Sequence, residues 1–340
     1  MSLLTDELNQ QPAALRCLVE RYRHSGELTR LGQSAAGSRW VLTGMGASYH
    51  AACLGALYLN AHGVPAVAME ASDLTHYALA LKSSGDLLVY LSQSGSSGEV
   101  PPFLDALPTG ARLVGITNHS ESLLARKAQW MLHMEAGDET LIASKTYLNS
   151  LALLWLLSRQ ASANWDGSEW DTLLALADRA EELLAKSEEI GQQWLKQYAS
   201  RDLLLFLGHG PHAVTARQSA MTLSEWAKKP TLHASIGAFR HGFIEAVQPG
   251  LRAVVFAPPG RSLSSSRALS RELALYGVSV GVVQNGELHG IDEVVDHSPV
   301  DELLSPILDI IPIQLFADAL AASLGIAPGF RYIGKVVTQL

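Results

Sequence analysis

The chain has 340 residues, 48% of them apolar and 17% charged, with a formal net charge of −8. That length exceeds one ordinary core and predicts two domains of roughly 150 residues, while the apolar content excludes a disordered chain. The acidic balance speaks against a nucleic-acid partner, and the two cysteines, Cys17 and Cys53, provide neither a disulfide framework nor a thiolate zinc site.

Residues 1–30 form an N-terminal helical segment, with a helix over 5–24 and Pro12 near its first turn. The opening residues lack the basic start and apolar core of a signal peptide. No apolar run approaches the ~20 residues that span a bilayer, so no membrane partner is expected and the cytoplasm is the default location. Residues 31–162 hold four apolar strands: Trp40–Gly46, Asp86–Leu91, Leu113–Ile116 and Trp130–Leu132. Residues 163–200 place Glu181, Glu182, Lys186, Glu188 and Glu189 among leucines, which predicts an amphipathic connecting helix.

Residues 201–327 repeat the first pattern, with strands at Leu204–Gly210, Arg252–Ala257, Val280–Val283 and Glu293–Val295. The first pair of strands both end in Gly-x-Gly, at an offset of 164 residues, and the second pair end near Gly95 and Gly260, at an offset of 165. Continuously apolar strands at helix-length spacing predict two tandem, doubly wound parallel-sheet α/β domains. Residues 328–340 are a C-terminal tail.

Three polar segments follow strands of the first domain: Gly44-Met45-Gly46-Ala47-Ser48, Ser92-Gln93-Ser94-Gly95-Ser96-Ser97-Gly98 and Ala143-Ser144-Lys145-Thr146. Ligands of parallel sheets bind at the strands' carboxyl ends, where helix N-termini present free N–H groups. Serine hydroxyls and close-approaching glycine backbone suit a phosphate. Any one segment alone also reads as a helix cap or turn. A dinucleotide fingerprint would need a third glycine where Tyr49 stands, so no cofactor is expected. His209 and His212 flank the second Gly-x-Gly without an acidic cluster in the sequence, and no metal is expected.

These motifs resemble those of the sugar isomerase (SIS) family, above all the isomerase half of glucosamine-6-phosphate synthase. Gly44–Ala51 is similar to the family's first phosphate loop, and Ser92-Gln93-Ser94-Gly95, with Ser97, to its SQSG loop. Glu7–Pro12, Glu70–Asp73 and Ile311–Leu315 extend the resemblance almost end to end. It implies two flavodoxin-like SIS domains and a sugar phosphate substrate held by Ser48, Ser92, Gln93, Ser94 and Ser97. Met45, Gly46 and Ala47 would add backbone N–H groups, and Ser144 would lie beside the sugar.

The resemblance also implies chemistry. Glu225 and His241 stand sixteen residues apart, as do the family's catalytic glutamate and histidine. Aldose–ketose interconversion needs a base for the C1–C2 proton and a group that opens the ring. A partly buried glutamate and an imidazole suit those tasks. The family's histidine comes from the neighbouring subunit, which implies a homodimer with the site at its interface. Lys335 matches a tail lysine that contacts the ketose carbonyl, as a Schiff base or as a source of positive charge.

The pattern breaks near the sugar's C1–C2 end. Thr222 stands where the synthase has lysine and Gln218 where it has glutamate, and the segment Glu139–Lys145 is one residue shorter. The glutaminase half is absent from these residues, so glutamine hydrolysis within them is not expected. A deaminase–isomerase that releases ammonia from a hexosamine 6-phosphate fits best. A deglycase acting on a fructosyl-amine 6-phosphate is the alternative, and a non-catalytic sugar-phosphate regulator is the rival from another class.

Overall fold

The structure, a computed structural model, describes residues 2–78, 85–162, 165–199 and 203–338. It comprises two compact units: residues 10–177 with 331–340, and residues 1–9 with 178–330.

The first unit holds strands β1 (Arg39–Gly44), β2 (Ala66–Glu70), β3 (Asp86–Leu91), β4 (Arg112–Thr117) and β5 (Trp130–His133). All pair in parallel, in the order β2-β1-β3-β4-β5. The strand order reverses between β1 and β3, which is where a doubly wound sheet opens a crevice. Every residue of β3 is buried, as a strand covered on both faces requires.

After α1 (Leu3–Leu8), which belongs to the second unit, come α2 (Gln11–Arg23), α3 (Glu27–Ser34), α4 (Gly46–Ala61), α5 (Ala71–Tyr77), α6 (Val100–Asp105), α7 (Leu123–Lys127) and α8 (Lys145–Ala161). Helices α2, α3 and α4 pack on α8. On another side of the sheet, Leu74, Phe103 and Leu124 of α5, α6 and α7 meet Val41, Leu88 and Tyr90 in one apolar cluster. The single helix expected over 5–24 is divided into α1 and α2. Pro12 has no N–H to donate and fits only a helix's first turn, so α2 begins at Gln11.

The expected connecting helix resolves into α9 (Ser168–Ala185) and α10 (Ser187–Tyr198), separated at Lys186. The second unit then contains β6 (Leu204–Gly208), α11 (Pro211–Glu225), β7 (Leu232–Ser235), α12 (Ile236–Arg240), β8 (Arg252–Phe256), α13 (Leu263–Leu275), β9 (Ser279–Gln284), β10 (Glu287–His289), α14 (Pro306–Asp309) and α15 (Ile311–Ser323). Its sheet order is β7-β6-β8-β9-β10, the same winding as the first, except that β10 is antiparallel to β9.

That edge corrects one expectation. Glu293–Val295 is no strand. Asn285 and Gly286, with φ of 52° and 83°, turn the chain straight back from β9, so β10 takes the edge position. The Gln284 side chain satisfies the backbone of Val295 instead, accepting its N–H at 2.9 Å and donating to its carbonyl at 3.1 Å.

Pro306–Ser323 is apolar and long enough to cross a membrane, but 83% of it is buried inside the protein, as a core helix would be. Beside it lies a polar core. His212 and Asp309 are fully buried, with Nε2 and Oδ2 at 2.7 Å. Asp309 also accepts the Gly286 N–H at 2.6 Å, and Ser305 Oγ lies 3.1 Å from His212 Nε2. His212 is thus a core residue. No trio of His, Cys, Asp or Glu that could hold a metal occurs among the described residues.

Candidate functional site

The sequence-predicted phosphate loops lie at the carboxyl ends of the neighbouring strands β1 and β3. Met45 is the extended N-cap of α4, and its side chain makes no capping bond. Gly46 and Ala47 begin the helix, so their N–H groups have no acceptor within it. Gly46 is exposed, while Ala47 and Ser48 are half-buried. The helix can start this close to the sheet because residue 44 is glycine: a Cβ there would stand 2.8 Å from the Leu91 carbonyl and 2.9 Å from Ser48 Cβ.

The serine loop is folded on itself. Ser92 is buried, and both its Oγ and its carbonyl accept the Gly95 N–H at 3.1 Å. Ser94 Oγ accepts the Ser96 N–H at 3.2 Å, and Gln93 Nε2 lies 3.2 Å from His119 Nε2. Gln93, Ser94 and Ser97 keep partial exposure. The loop is fastened to β4, since the Gln93 carbonyl accepts from Thr117 Oγ1 at 3.1 Å and from the Asn118 N–H at 3.0 Å. A frame fixed in this way has the hydroxyls and helix N–H groups that an oxyanion would need, without a lysine.

Ser144 is placed differently. It is fully buried, and its N–H and hydroxyl donate to Glu139 Oε1 at 2.9 and 3.2 Å. Thr146 adds its N–H to Oε1 at 3.1 Å and its hydroxyl to Oε2 at 2.7 Å. Lys335 Nζ completes the cluster, 2.9 Å from Glu139 Oε2 and 2.5 Å from the Leu141 carbonyl. The tail also touches the serine loop, where the Gly98 N–H donates to the Val337 carbonyl at 2.9 Å. Burial alone would raise the Glu139 carboxyl's pKa. The Lys335 ammonium and the bonds from Thr146 and Ser144 outweigh burial and hold it below the usual carboxylate range.

Lys335 therefore belongs to the same unit as the two loops at the ends of β1 and β3. Glu139 is the residue that sequence reasoning missed. Its signal was a carboxylate five residues before Ser144, the N-cap of α8, where a helix's free N–H groups favour a negative charge.

Glu225 and His241 lie in the second unit. Glu225 is the last residue of α11 and is half-buried. The turn after it is held by Lys228, whose Nζ donates to the carbonyls of Glu225 at 2.5 Å and Gly329 at 2.8 Å. Trp226, the next residue, is buried and donates its indole N–H to Asp318 at 3.1 Å. Asp318 also accepts the Thr5 hydroxyl at 2.6 Å and the Ser2 hydroxyl. The bonds of Lys228 and Trp226 thus fix where Glu225 leaves its helix. Gln218 and Thr222 occupy the buried side of α11 and lie 3.4 Å apart through Nε2 and Oγ1.

His241 caps α12 and is exposed, as is the following Gly242. Phe243 is 60% exposed and Leu232 48%. Both border an apolar cavity of about 490 Å³ along β7, the edge strand of the second sheet.

Comparison with known proteins agrees with the fold. Residues 35–158 match the SIS domain family. The chain is 29% identical over 342 residues to glutamine–fructose-6-phosphate aminotransferase [isomerizing] of Pyrococcus horikoshii, covering 98% of this chain and 57% of that protein. The chain thus spans little more than half the length of that relative. Among solved structures, the C-terminal domain of glucosamine-fructose-6-phosphate aminotransferase from Francisella tularensis aligns with a TM-score of 0.84 at 19% identity, over 97% of this chain and 98% of that one. Glucosamine-6-phosphate deaminase from Thermotoga maritima aligns with a TM-score of 0.81 at 21% identity, over 99% of each chain. These two likenesses establish the fold along the whole chain.

Proposed function

On the premise that the chain carries an SIS domain, we propose that it is a phosphosugar enzyme of the isomerase kind that deaminates a hexosamine 6-phosphate. The sugar's phosphate sits at the start of α4 and on the Ser92–Ser97 loop, among Ser48, Ser92, Gln93, Ser94 and Ser97. Glu225 takes the C2 proton of the open-chain amino sugar. Its electron pair forms an enolamine as the C1 oxygen gains a proton. Glu225 returns the proton to C1, giving a ketose imine. Water adds to the imine carbon and ammonia leaves, so one water is consumed and one ketose 6-phosphate is made. His241, supplied by a second copy of the chain, serves ring opening. The exposed apolar surface around Phe243 supports such a homodimer.

One observation carries the choice of reaction. The buried face of α11 holds neutral Gln218 and Thr222, where the resemblance places a glutamate and a lysine in the synthase. The phosphate loops are kept while the charged groups beside Glu225 are lost. That combination supports a related reaction with a single carboxylate base. The same loss supports the second reading, cleavage of a fructosyl-amine 6-phosphate, which passes through an enolamine too.

The test is ammonia release from glucosamine 6-phosphate, with Glu225→Gln as control. Release by the native protein and its loss in the variant, with binding retained, is the expected result. Binding without release excludes this substrate and leaves the fructosyl-amine phosphates. If those also stay intact, the protein is a regulator that senses sugar phosphate.

A further inference from the structure

The internal repeat gives each loop of the first crevice a counterpart in the second unit, at the ends of β6 and β8. Offset by 164, Met45-Gly46-Ala47-Ser48 corresponds to His209-Gly210-Pro211-His212. Offset by 165, Ser92-Gln93-Ser94-Gly95-Ser96-Ser97 corresponds to Ala257-Pro258-Pro259-Gly260-Arg261-Ser262. Many donors are gone from the second set. Pro211, Pro258 and Pro259 have no N–H, Ala257 has no hydroxyl, and His212 is buried against Asp309. Arg261 and Ser262, just ahead of α13, keep theirs.

Those donors already hold an anion. Glu302 Oε2 accepts the Arg261 N–H at 2.7 Å, and Oε1 accepts the Ser262 N–H at 3.2 Å and the Ser262 hydroxyl at 2.5 Å. Ser262 is the N-cap of α13 but makes no capping bond with its side chain, because its hydroxyl is committed to the carboxylate. One carboxylate thus bridges successive N–H groups at the start of a helix of 13 residues, where the dipole favours negative charge. Gly260 makes room for it: a Cβ there would stand 2.8 Å from Glu302 Cδ. The carboxylate acts on the β6 turn as well. Burial lowers the pKa of His209, and the charge of Glu302 opposes that shift. The segment bearing Glu302 is held from behind by Ser305, whose hydroxyl donates to the Glu302 carbonyl at 3.3 Å and lies 3.1 Å from the buried His212.

We propose that the second crevice is an oxyanion site whose resident ligand is the chain's own Glu302 carboxylate, which leaves one sugar phosphate to each chain, in the first unit. A carboxylate tethered to the loop it binds meets it at high effective concentration, so a free anion does not displace it. The single phosphate rests on the function proposed above, whereas the occupation of the second loop by Glu302 does not.

Hydrogen exchange on the full chain, with inorganic phosphate as the probe, tests it. In the native protein, phosphate should leave exchange at the Arg261 and Ser262 amides unchanged. Glu302→Ala removes the resident anion, and exchange at both amides is expected to rise about 10-fold or more. Phosphate added to this variant should slow it again, by about 3-fold or more at saturation. Glu302→Asp, which draws the carboxylate back by one methylene, should show the same rise and decides the matter if Glu302→Ala does not fold. An unchanged rate in a folded variant overturns the proposal. A rise that phosphate does not reverse overturns it too, since the loop is then a clasp for Glu302 and no oxyanion site. Slowing of these amides by phosphate in the native protein overturns it as well. The amides of the Ser92–Ser97 loop are followed in the same experiment. If phosphate does not slow them, the reading of the first site fails and the single phosphate is overturned with it, while Arg261 and Ser262 still decide the role of Glu302.

Discussion

Gly95→Ala is the sharpest single test of the proposed phosphate site. Gly95 has φ of +59°, in the left-handed region, and its N–H closes the loop onto Ser92. A Cβ at this position would stand 2.1 Å from Ser122 Oγ, 2.6 Å from Ser122 Cβ and 2.9 Å from Thr117 Oγ1. Neither neighbour can yield cheaply. Ser122 caps α7, accepting the Ala125 N–H at 3.2 Å, and Thr117 Oγ1 holds the Gln93 carbonyl. The left-handed conformation costs alanine about 1–2 kcal/mol. Overpacking adds about 1–3 kcal/mol. The variant should therefore lose roughly 2–5 kcal/mol, read as a lower urea midpoint for the unit that contains β1 to β5. Displacing the loop by ~1 Å should weaken fructose 6-phosphate binding about 10-fold or more, measured by calorimetry. Adding Ser122→Gly removes the two Ser122 atoms, leaving Thr117 Oγ1, and should recover part of the loss, though not the backbone term. Stability within about 0.5 kcal/mol of the native protein, with unchanged binding, would refute this account of the loop.

Three further outcomes follow from the structure. Asp309→Ala takes the carboxylate from the buried His212, which keeps Ser305, and strands the Gly286 N–H, and should cost about 3–5 kcal/mol by urea unfolding. A loss below about 1 kcal/mol would mean that water replaces the carboxylate there. Gln284→Ala removes the side chain bonded to the Val295 backbone and should cost about 1–3 kcal/mol, with faster exchange at the Val295 amide. The Glu139 carboxyl titrates below its ordinary 4.5, so its stabilising effect is complete above that value and is lost as pH falls through the lower folded-state value. The stability difference between the native protein and Glu139→Gln should accordingly be constant near neutrality and disappear in acid; a difference already declining between pH ~5 and ~7 would contradict the assignment.

The winding of both sheets was legible because it rests on strand composition. A strand covered on both faces must be apolar along most of its length, and β1, β3, β4, β6, β8 and β9 all announce themselves that way. Their shared spacing exposed the repeat. The edges were less legible. Leu232-His233-Ala234-Ser235 forms β7 although two of its four residues are polar and its first two are exposed, since an edge strand is stabilised by one neighbour and needs less apolar surface. At the other edge, two valines suggested a strand at Glu293–Val295. The Asn285-Gly286 turn gave that place to β10, and a single glutamine side chain took over the backbone bonds.

The candidate site divides in the same way. The loops proposed to hold the phosphate were legible as loops because glycine and serine at a strand's end are demanded by local geometry: a helix must start there and the backbone must come close. Sequence by itself determined the doubly wound units, the positions of Gly44, Gly95 and the serine loop, and the resemblance that singles out Glu225, His241 and Lys335. Only the tertiary structure decided that Ser144 is buried and committed to Glu139, that Asp318 anchors the turn after Glu225, and that the tail lysine pairs with a carboxylate far away in sequence. Such partners leave no periodicity or motif. A charge–charge contact depends on where two distant segments are brought by the packing of everything between them, and the chain settles that only once it has folded.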